Sequence, residues 1–124
     1  MKLFLFALIV ALIASPVIAH DYEHPELAEW YRSLKSQGGA CCDGTDATHI
    51  ADVDWDTTCE KNNFGETRCN YRVRLYDKWW DVPAQAVLDG PNRDGSALVW
   101  AVPTYNGEKV FSVYIRCFMP GSGT

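Results

Sequence analysis

The sequence lacks the short motifs that mark several common classes of enzyme. It contains no G-x-S-x-G nucleophile turn, no H-E-x-x-H zinc motif, no phosphate-binding glycine loop and no C-x-x-C redox pair. A pair of carboxylates could still serve glycoside hydrolysis, but the 16 acidic residues are not arranged so as to single out one pair. The sequence therefore favours a protein without catalytic activity.

Basic residues are also few, with 11 Lys and Arg against 16 Asp and Glu and a net charge of −5. Nucleic acids and anionic membrane surfaces attract basic proteins, so both are disfavoured as partners. The acidic residues are spread along the chain rather than run together, and aromatic residues make up 13% of it. This composition is typical of a packed globular domain rather than a disordered chain.

The longest apolar run stands at the N-terminus and predicts an export signal. Lys2 precedes the apolar run Leu3–Ala14, and residues 17–19 have the small-residue pattern of a signal peptidase site. The run is short for a membrane span, and no second run follows it. We expect that residues 1–19 are removed, leaving residues 20–124 as a single exported domain, periplasmic or secreted, with no membrane span.

The cysteines predict disulfides, since cysteines in exported proteins usually form bridges. There are five, Cys41, Cys42, Cys59, Cys69 and Cys117, and the odd number leaves one sulfur over. Cys59 and Cys69 flank a turn, so we expect them to bridge two neighbouring strands. Adjacent cysteines rarely bridge each other, so Cys117 is expected to pair with Cys41 or Cys42. The remaining thiol is predicted to be inert, with a reactive thiol as the alternative.

A helix is predicted over Pro25–Gln37. Proline suits the first helical position, and the apolar side chains at 27, 30, 31 and 34 have helical spacing. Gly38 and Gly39 are expected to end the helix.

Strand patterns occupy the rest of the chain. The first expected elements are a half-buried strand over Ala51–Asp56, a hairpin of Thr57–Cys59 with Arg68–Tyr76, and a turn at Asp77-Lys78 into Trp79–Val82. A helical turn within Ala84–Leu88, a loop at Asp89–Gly95 and a central strand over Ala97–Val102 are expected to follow. The last elements are a hairpin turn at Asn106-Gly107 and a strand over Val110–Phe118, where Phe111, Val113, Ile115 and Cys117 share a face. The predicted fold class is α+β: one N-terminal helix packed on an antiparallel sheet of about five strands, stabilised by disulfides. A small, partly closed barrel with the helix as a plug is the alternative.

Aromatic residues are the best candidates for binding. Trp79 and Trp80 are neighbours on a strand and point to opposite faces of the sheet, so one belongs to the core. The other is either covered by the helix or exposed as a binding platform. Together with Tyr76 and Tyr114 it would form an aromatic patch that recognises a protein or an envelope glycan, assisted by the loop at Asp89–Gly95. Simple burial of these rings is the competing interpretation.

A metal site is the competing hypothesis for function. Cleavage after Ala19 would make His20 the N-terminal residue, where its α-amine and imidazole can chelate copper, with His24 or His49 completing the site. The aspartates between 52 and 56 resemble the start of a calcium loop, but the required glycine and glutamate are missing. No resident cofactor is therefore expected, and the alternative function is a copper-binding or thiol-redox protein that uses His20 or the Cys41-Cys42 pair.

Five segments resemble a family of small exported proteobacterial proteins of unknown activity: Trp30–Leu34, Cys41–Ala47, Trp80–Pro83, Pro91–Gly95 and Ile115–Gly121. The family pattern is an aromatic-rich helix ending in S-L, then C-C and an aspartate. The resemblance covers most of the chain after the predicted signal, and it implies an exported single domain but no activity. Some members have a cysteine in place of Ala47, whose partner would correspond to the sulfur left over here.

Overall fold

The computed structural model describes residues 25–42 and 46–122. The predicted signal peptide and two of the candidate copper ligands, His20 and His24, lie outside the described residues. The helices and strands are α1 (Ala28–Ser33), β1 (Lys35–Ser36), β2 (Gly39–Ala40), β3 (Thr48–Ile50), β4 (Trp55–Lys61), β5 (Thr67–Leu75), β6 (Lys78–Asp81), β7 (Ala97–Asn106) and β8 (Lys109–Met119), with 3₁₀ turns at Pro25–Leu27, Asp52–Asp54 and Ala84–Ala86.

The strands of the described residues form three antiparallel sheets rather than the single five-stranded sheet that we predicted. Their orders are β1–β2, β3–β7–β8 and β4–β5–β6. The prediction of a helix combined with antiparallel strands and disulfides is confirmed, but the strands do not join into one sheet or a barrel. The separation follows from the segment after β6. Pro83 has no N–H to donate to a ladder, and the chain turns at Ala84–Ala86 before it enters β7 in another sheet.

The sheet β3–β7–β8 is the middle layer and has a hydrophobic core on each face. On one face Leu98 and Trp100 of β7 pack against Tyr31 of α1, and we call this cluster the helix-side core. On the other face Val99 packs with Val73 of β5, and we call this cluster the inter-sheet core. Strand β7 is buried from Ala97 to Trp100, so the prediction of a central strand covered on both faces is confirmed for these residues, whereas Val102, which was also predicted to be covered, is exposed.

Helix α1 ends four residues before the predicted boundary. Leu34 has extended backbone (φ −69°, ψ 130°), and its carbonyl accepts a 3.0 Å hydrogen bond from the N–H of Cys41. The predicted last turn of the helix is instead the small hairpin β1–β2, in which Lys35 pairs with Ala40. The apolar spacing identified the buried side correctly, because Tyr31 and Leu34 are both in the helix-side core.

The predicted strand over Ala51–Asp56 is wrong for its first four residues, and only Trp55 and Asp56 belong to a strand. Its middle is a 3₁₀ turn closed by a 2.8 Å hydrogen bond from the N–H of Asp54 to the carbonyl of Ala51, and Val53 is exposed. This turn is the corner at which the chain leaves β3 and enters β4 in the other sheet. Alternating aspartates therefore mark a corner between two sheets, and the strand begins only at Trp55.

Two register shifts in β8 overturn the prediction that its alternate apolar residues share one face. Trp100 pairs with Cys117, but Ala101 pairs with Ile115, so Arg116 is an extra residue. This bulge puts Cys117 in the helix-side core and Ile115 in the inter-sheet core. A second shift lies opposite Thr104 and Tyr105, near Phe111, which is exposed.

Candidate functional site

The turn between β5 and β6 has an uncommon composition. It consists of Tyr76 and Asp77, one residue earlier than predicted, and both have positive φ, at 53° and 61°. Two positive φ values match the twist of a tight hairpin, but asparagine followed by glycine is the usual choice. A side chain with a Cβ costs about 1 kcal/mol or more in this conformation. The chain therefore holds a tyrosine at a position that its backbone disfavours.

The end of the β7–β8 hairpin lies beside this turn. Lys78 Nζ of β6 donates a 3.5 Å hydrogen bond to the carbonyl of Val110 in β8. Between the two hairpin ends is an open cavity of about 350 Å³, which we call the hairpin-end cleft. Its lining residues are Tyr76, Asp77 and Lys78 on one wall and Tyr105, Glu108, Lys109 and Val110 on the other.

The two tyrosines give the cleft its aromatic character. Tyr76 is 48% exposed and Tyr105 is 57% exposed, so both rings are accessible. Burial raises the pKa of Tyr76 above its ordinary value, and the neighbouring Tyr105 raises it further. The Tyr76 hydroxyl therefore keeps its proton at neutral pH and can both donate and accept a hydrogen bond.

The four aromatic residues considered for the predicted patch lie in four separate places. Trp80 points into the inter-sheet core, and its indole N–H donates a 2.9 Å hydrogen bond to the carbonyl of Leu75. Trp79 points outward and is exposed, with the guanidinium of Arg72 at 5.2 Å from its ring centre. The opposite orientation of the two tryptophans agrees with the sequence pattern.

Tyr114 lies in the middle of β8, where it pairs with Val102. It is on the helix side of the middle sheet, next to Gly38 in the turn between β1 and β2. Only Tyr76 of the four predicted residues lines the hairpin-end cleft. Its partner Tyr105 was missed, although its place directly before Asn106-Gly107 put it at a predicted hairpin end.

A second cavity, of about 320 Å³, lies at the other end of β5. Its lining is Glu60, Lys61, Asn62, Glu66, Thr67 and Arg68. It has no aromatic ring in its walls, so it offers no flat apolar surface against which a ligand could stack. The hairpin-end cleft is the better candidate for a binding site.

Two disulfides are present, which confirms the prediction that this chain forms them. Cys59 and Cys69 bridge paired positions of β4 and β5, and Cys41 bridges Cys117 of β8. Cys42 is the cysteine outside both bridges.

The environment of Cys42 does not activate its thiol. Its Sγ donates a 3.4 Å hydrogen bond to the carbonyl of Tyr31. Burial raises the pKa of Cys42 above its ordinary value. The indole N–H of Trp100 lowers this pKa, although it forms no hydrogen bond of normal geometry. The net shift of the pKa is upward. A raised pKa leaves little thiolate at neutral pH, and the thiolate is the reactive form.

His49 takes part in a polar cluster around the buried side chain of Asp94. Its Nε2 lies 3.1 Å from Oδ2 of Asp94, which also accepts a 2.5 Å hydrogen bond from the Tyr31 hydroxyl. The side chain of Asp94 is only 2% exposed. Burial raises the pKa of Asp94, but the hydrogen bonds from Tyr31 and His49, the charge of His49 and the N–H of Ser96 outweigh it, so that its pKa lies below the ordinary value.

The loop predicted to take part in binding is held in place by hydrogen bonds of its own side chains. Asn92 Oδ1 accepts hydrogen bonds from the N–H groups of Asp94 and Gly95, and its Nδ2 donates to the carbonyls of Ser96 and Pro120. Through hydrogen bonds of Asn92 and Asp94, the loop connects α1 and β3 to the end of β8. It supports the fold rather than the hairpin-end cleft.

Residues 25–42 and 46–122 contain no group of three or more histidine, cysteine, aspartate or glutamate side chains that could hold a metal ion. The copper hypothesis depends on His20, completed by His24 or His49; the structure does not describe His20 or His24, so the hypothesis stays a prediction. Within the same part of the chain, no helix is both long and apolar enough to cross a membrane.

Comparison of the chain with protein-family models, with curated proteins and with solved structures finds no match. The resemblance to a family of exported proteobacterial proteins therefore stays a prediction from the sequence motifs.

Proposed function

We propose that this protein is an exported, non-enzymatic binding domain that recognises a component of the cell envelope at the hairpin-end cleft. The observation that carries the proposal is the distribution of exposed apolar side chains. Of the eight large exposed hydrophobic residues among those described, five lie at the β5–β6 turn or in the outer half of the β7–β8 hairpin, namely Tyr76, Val102, Tyr105, Phe111 and Tyr114.

Two of these residues, Tyr76 and Tyr105, line the hairpin-end cleft, and exposed aromatic rings that line a cavity indicate a binding site. Both cores are filled by other residues, so the exposed rings are not needed to hold the layers together. Tyrosine suits recognition because its ring provides apolar contact area while its hydroxyl forms hydrogen bonds. Placing such residues at the ends of rigid hairpins fixes their position before the ligand arrives.

The binding function can be tested by sedimentation of the purified protein with an envelope fraction that contains both protein and polysaccharide. The wild-type protein is expected to sediment with the fraction. Tyr105→Ala is expected to weaken binding about 30-fold, the effect of losing about 2 kcal/mol at an aromatic hot spot.

Phe64→Ala is the matched control, since Phe64 is an exposed ring at the opposite end of β5, outside the cleft. It should bind like the wild type. Equal binding by Tyr105→Ala and Phe64→Ala, or no sedimentation of the wild type, would contradict the proposal.

A further inference from the structure

The two walls of the hairpin-end cleft carry the same set of chemical groups. The β5–β6 wall provides Tyr76, Asp77 and Lys78, hence one phenol ring, one carboxylate and one ammonium. The β7–β8 wall provides another set of the same kind, Tyr105, Glu108 and Lys109. Each wall is therefore neutral overall, and each combines one flat apolar surface with both a hydrogen-bond acceptor and a hydrogen-bond donor.

This arrangement of charge selects against charged ligands. A polyanion such as nucleic acid is bound by surfaces on which Lys and Arg dominate, whereas here each ammonium has a carboxylate on the same wall. The chain as a whole carries a net charge of −5, which adds a repulsion for anions. A strongly basic ligand is not selected by these walls either, since each carboxylate has an ammonium on the same wall. The cleft is thus suited to a ligand without net charge.

The geometry also selects against a purely apolar ligand. Sites for apolar molecules enclose most of the ligand surface in hydrophobic side chains, but this cleft is open to solvent, and four of its seven lining residues are charged. A sugar ring has the complementary properties: C–H groups on its faces for contact with an aromatic ring, and hydroxyl groups at its edge that donate to a carboxylate or accept from an ammonium. An open cleft also lets a chain of sugars continue on either side.

We infer that the hairpin-end cleft binds a neutral, hydroxyl-rich glycan chain, with a sugar ring held between Tyr76 and Tyr105. The inference rests on the proposed function, since it names the ligand of the same site. The tyrosine rings stack on the sugar faces, Asp77 and Glu108 accept hydrogen bonds from hydroxyl groups, and Lys109 donates to them.

The test compares three preparations of the same envelope fraction: untreated, protease-digested and periodate-oxidised. Periodate cleaves the vicinal diols of sugars, while protease removes proteins and leaves polysaccharide. The wild-type protein is expected to bind the untreated and protease-digested material equally and to lose at least about 10-fold in affinity after oxidation, a loss of about 1.4 kcal/mol. Raising the ionic strength should change the affinity by less than about twofold, since no net charge is neutralised.

Variants separate stacking from a general loss of structure. Tyr105→Ala should lose the affinity for the protease-digested material, whereas Tyr105→Phe, which keeps the ring, should retain most of it; circular dichroism confirms that both are folded. Binding that survives periodate but is lost after protease would overturn the glycan inference and leave the binding function standing. Absence of binding to all three preparations would overturn both.

Discussion

Tyr76 shows the tension between stability and recognition at the scale of a single residue. Its φ of 53° is one that asparagine and glycine adopt with less strain. Its ring nevertheless forms one wall of the hairpin-end cleft. Strained backbone conformations in native proteins are found preferentially at functional sites, and here the strain lies at the residue that the proposed ligand would contact.

Replacing Tyr76 by asparagine should therefore raise stability and lower binding. We expect Tyr76→Asn to increase the free energy of unfolding by about 0.5–1 kcal/mol, because asparagine tolerates this turn conformation better. The same variant should lose at least about 10-fold in affinity for the envelope fraction. Urea unfolding and the sedimentation assay measure the two effects. A variant that is stabilised and binds normally would show that the Tyr76 ring has no role in recognition.

Asp94 is a carboxylate with a buried side chain whose protonation in acid should destabilise the fold. Its pKa in the folded state lies below the ordinary value of 3.8. Its carboxylate therefore stabilises the fold fully above that value, and the contribution is lost as the pH falls through the folded pKa. The free energy of unfolding of the wild type should therefore decline as the pH falls below 3.8.

Asp94→Asn should be less stable than the wild type at neutral pH and should show a weaker decline in acid, as measured by urea unfolding at a series of pH values. Tyr31→Phe removes one donor to the carboxylate and should lower stability at neutral pH by about 2 kcal/mol. Parallel acid profiles for the wild type and Asp94→Asn would contradict the role assigned to this carboxylate.

At the scale of the elements, the two disulfides connect different parts of the fold. Cys59–Cys69 links neighbouring strands over a sequence separation of 10, whereas Cys41–Cys117 links the turn after β2 to β8 over a separation of 76. On chain-entropy grounds the shorter loop contributes about 3 kcal/mol and the longer one about 4.5 kcal/mol. Cys41 and Cys117 are also fully buried, so their removal leaves space in the helix-side core.

Replacing both Cys41 and Cys117 by alanine should therefore destabilise the protein more than replacing both Cys59 and Cys69. The difference should be at least about 1.5 kcal/mol in urea unfolding. Both members of a bridge are changed together, because Cys42 stands next to Cys41 and could otherwise pair with Cys117. Cys42→Ala is the control and should change stability by less than about 1 kcal/mol. The opposite order of the two double variants would refute the assignment.

The sequence predicted the elements whose signals are local. The β4–β5 hairpin was predicted because its turn residues and alternating side chains lie within one short segment, and the β7–β8 hairpin was predicted for the same reason. The pairing of His49 with Leu98 could not be predicted, because residues so far apart in sequence leave no local pattern. Without that pairing, the division into two three-stranded sheets was not visible.

The register shifts in β8 could not be predicted from the sequence for a related reason. The bulge at Arg116 arises because Cys117 must meet Cys41 on one side of the sheet while Ile115 packs on the other, and no feature of the isolated strand requires this. For the candidate site, the alternation of side chains along a strand was enough to predict that Trp79 and Trp80 point to opposite faces of the sheet. It could not reveal that Tyr105 lies opposite Tyr76, which depends on how two sheets pack.

At the scale of the whole molecule, the described residues form three layers: the helix with the small β1–β2 hairpin, the middle sheet β3–β7–β8, and the sheet β4–β5–β6. The outer layers cover β7 only from Ala97 to about Ala101, and the hairpin beyond this point becomes progressively exposed. The cleft therefore lies away from both cores. Substitutions at the cleft should affect binding without large losses of stability.

Export is the prediction that concerns the chain as a whole. We expect the protein to be recovered from the periplasm or the medium with His20 as its first residue. The intact mass should show removal of residues 1–19 and two disulfides, and alkylation in denaturant should add one group, at Cys42. A protein retained in the cytoplasm with its N-terminal segment, or one that takes up more than one alkyl group, would contradict this prediction.

The position of Cys117 near the C-terminus has a consequence for synthesis. In a chain that enters an oxidising compartment N-terminus first, the other four cysteines arrive before Cys117. Cys41 therefore meets Cys42, Cys59 and Cys69 while its native partner is still absent. Wrong bridges formed in this interval can be undone only by attack of a thiolate on a disulfide, a slow step without catalysis. For an exported chain we therefore expect a disulfide isomerase to raise the yield of native protein without changing the stability of the finished fold.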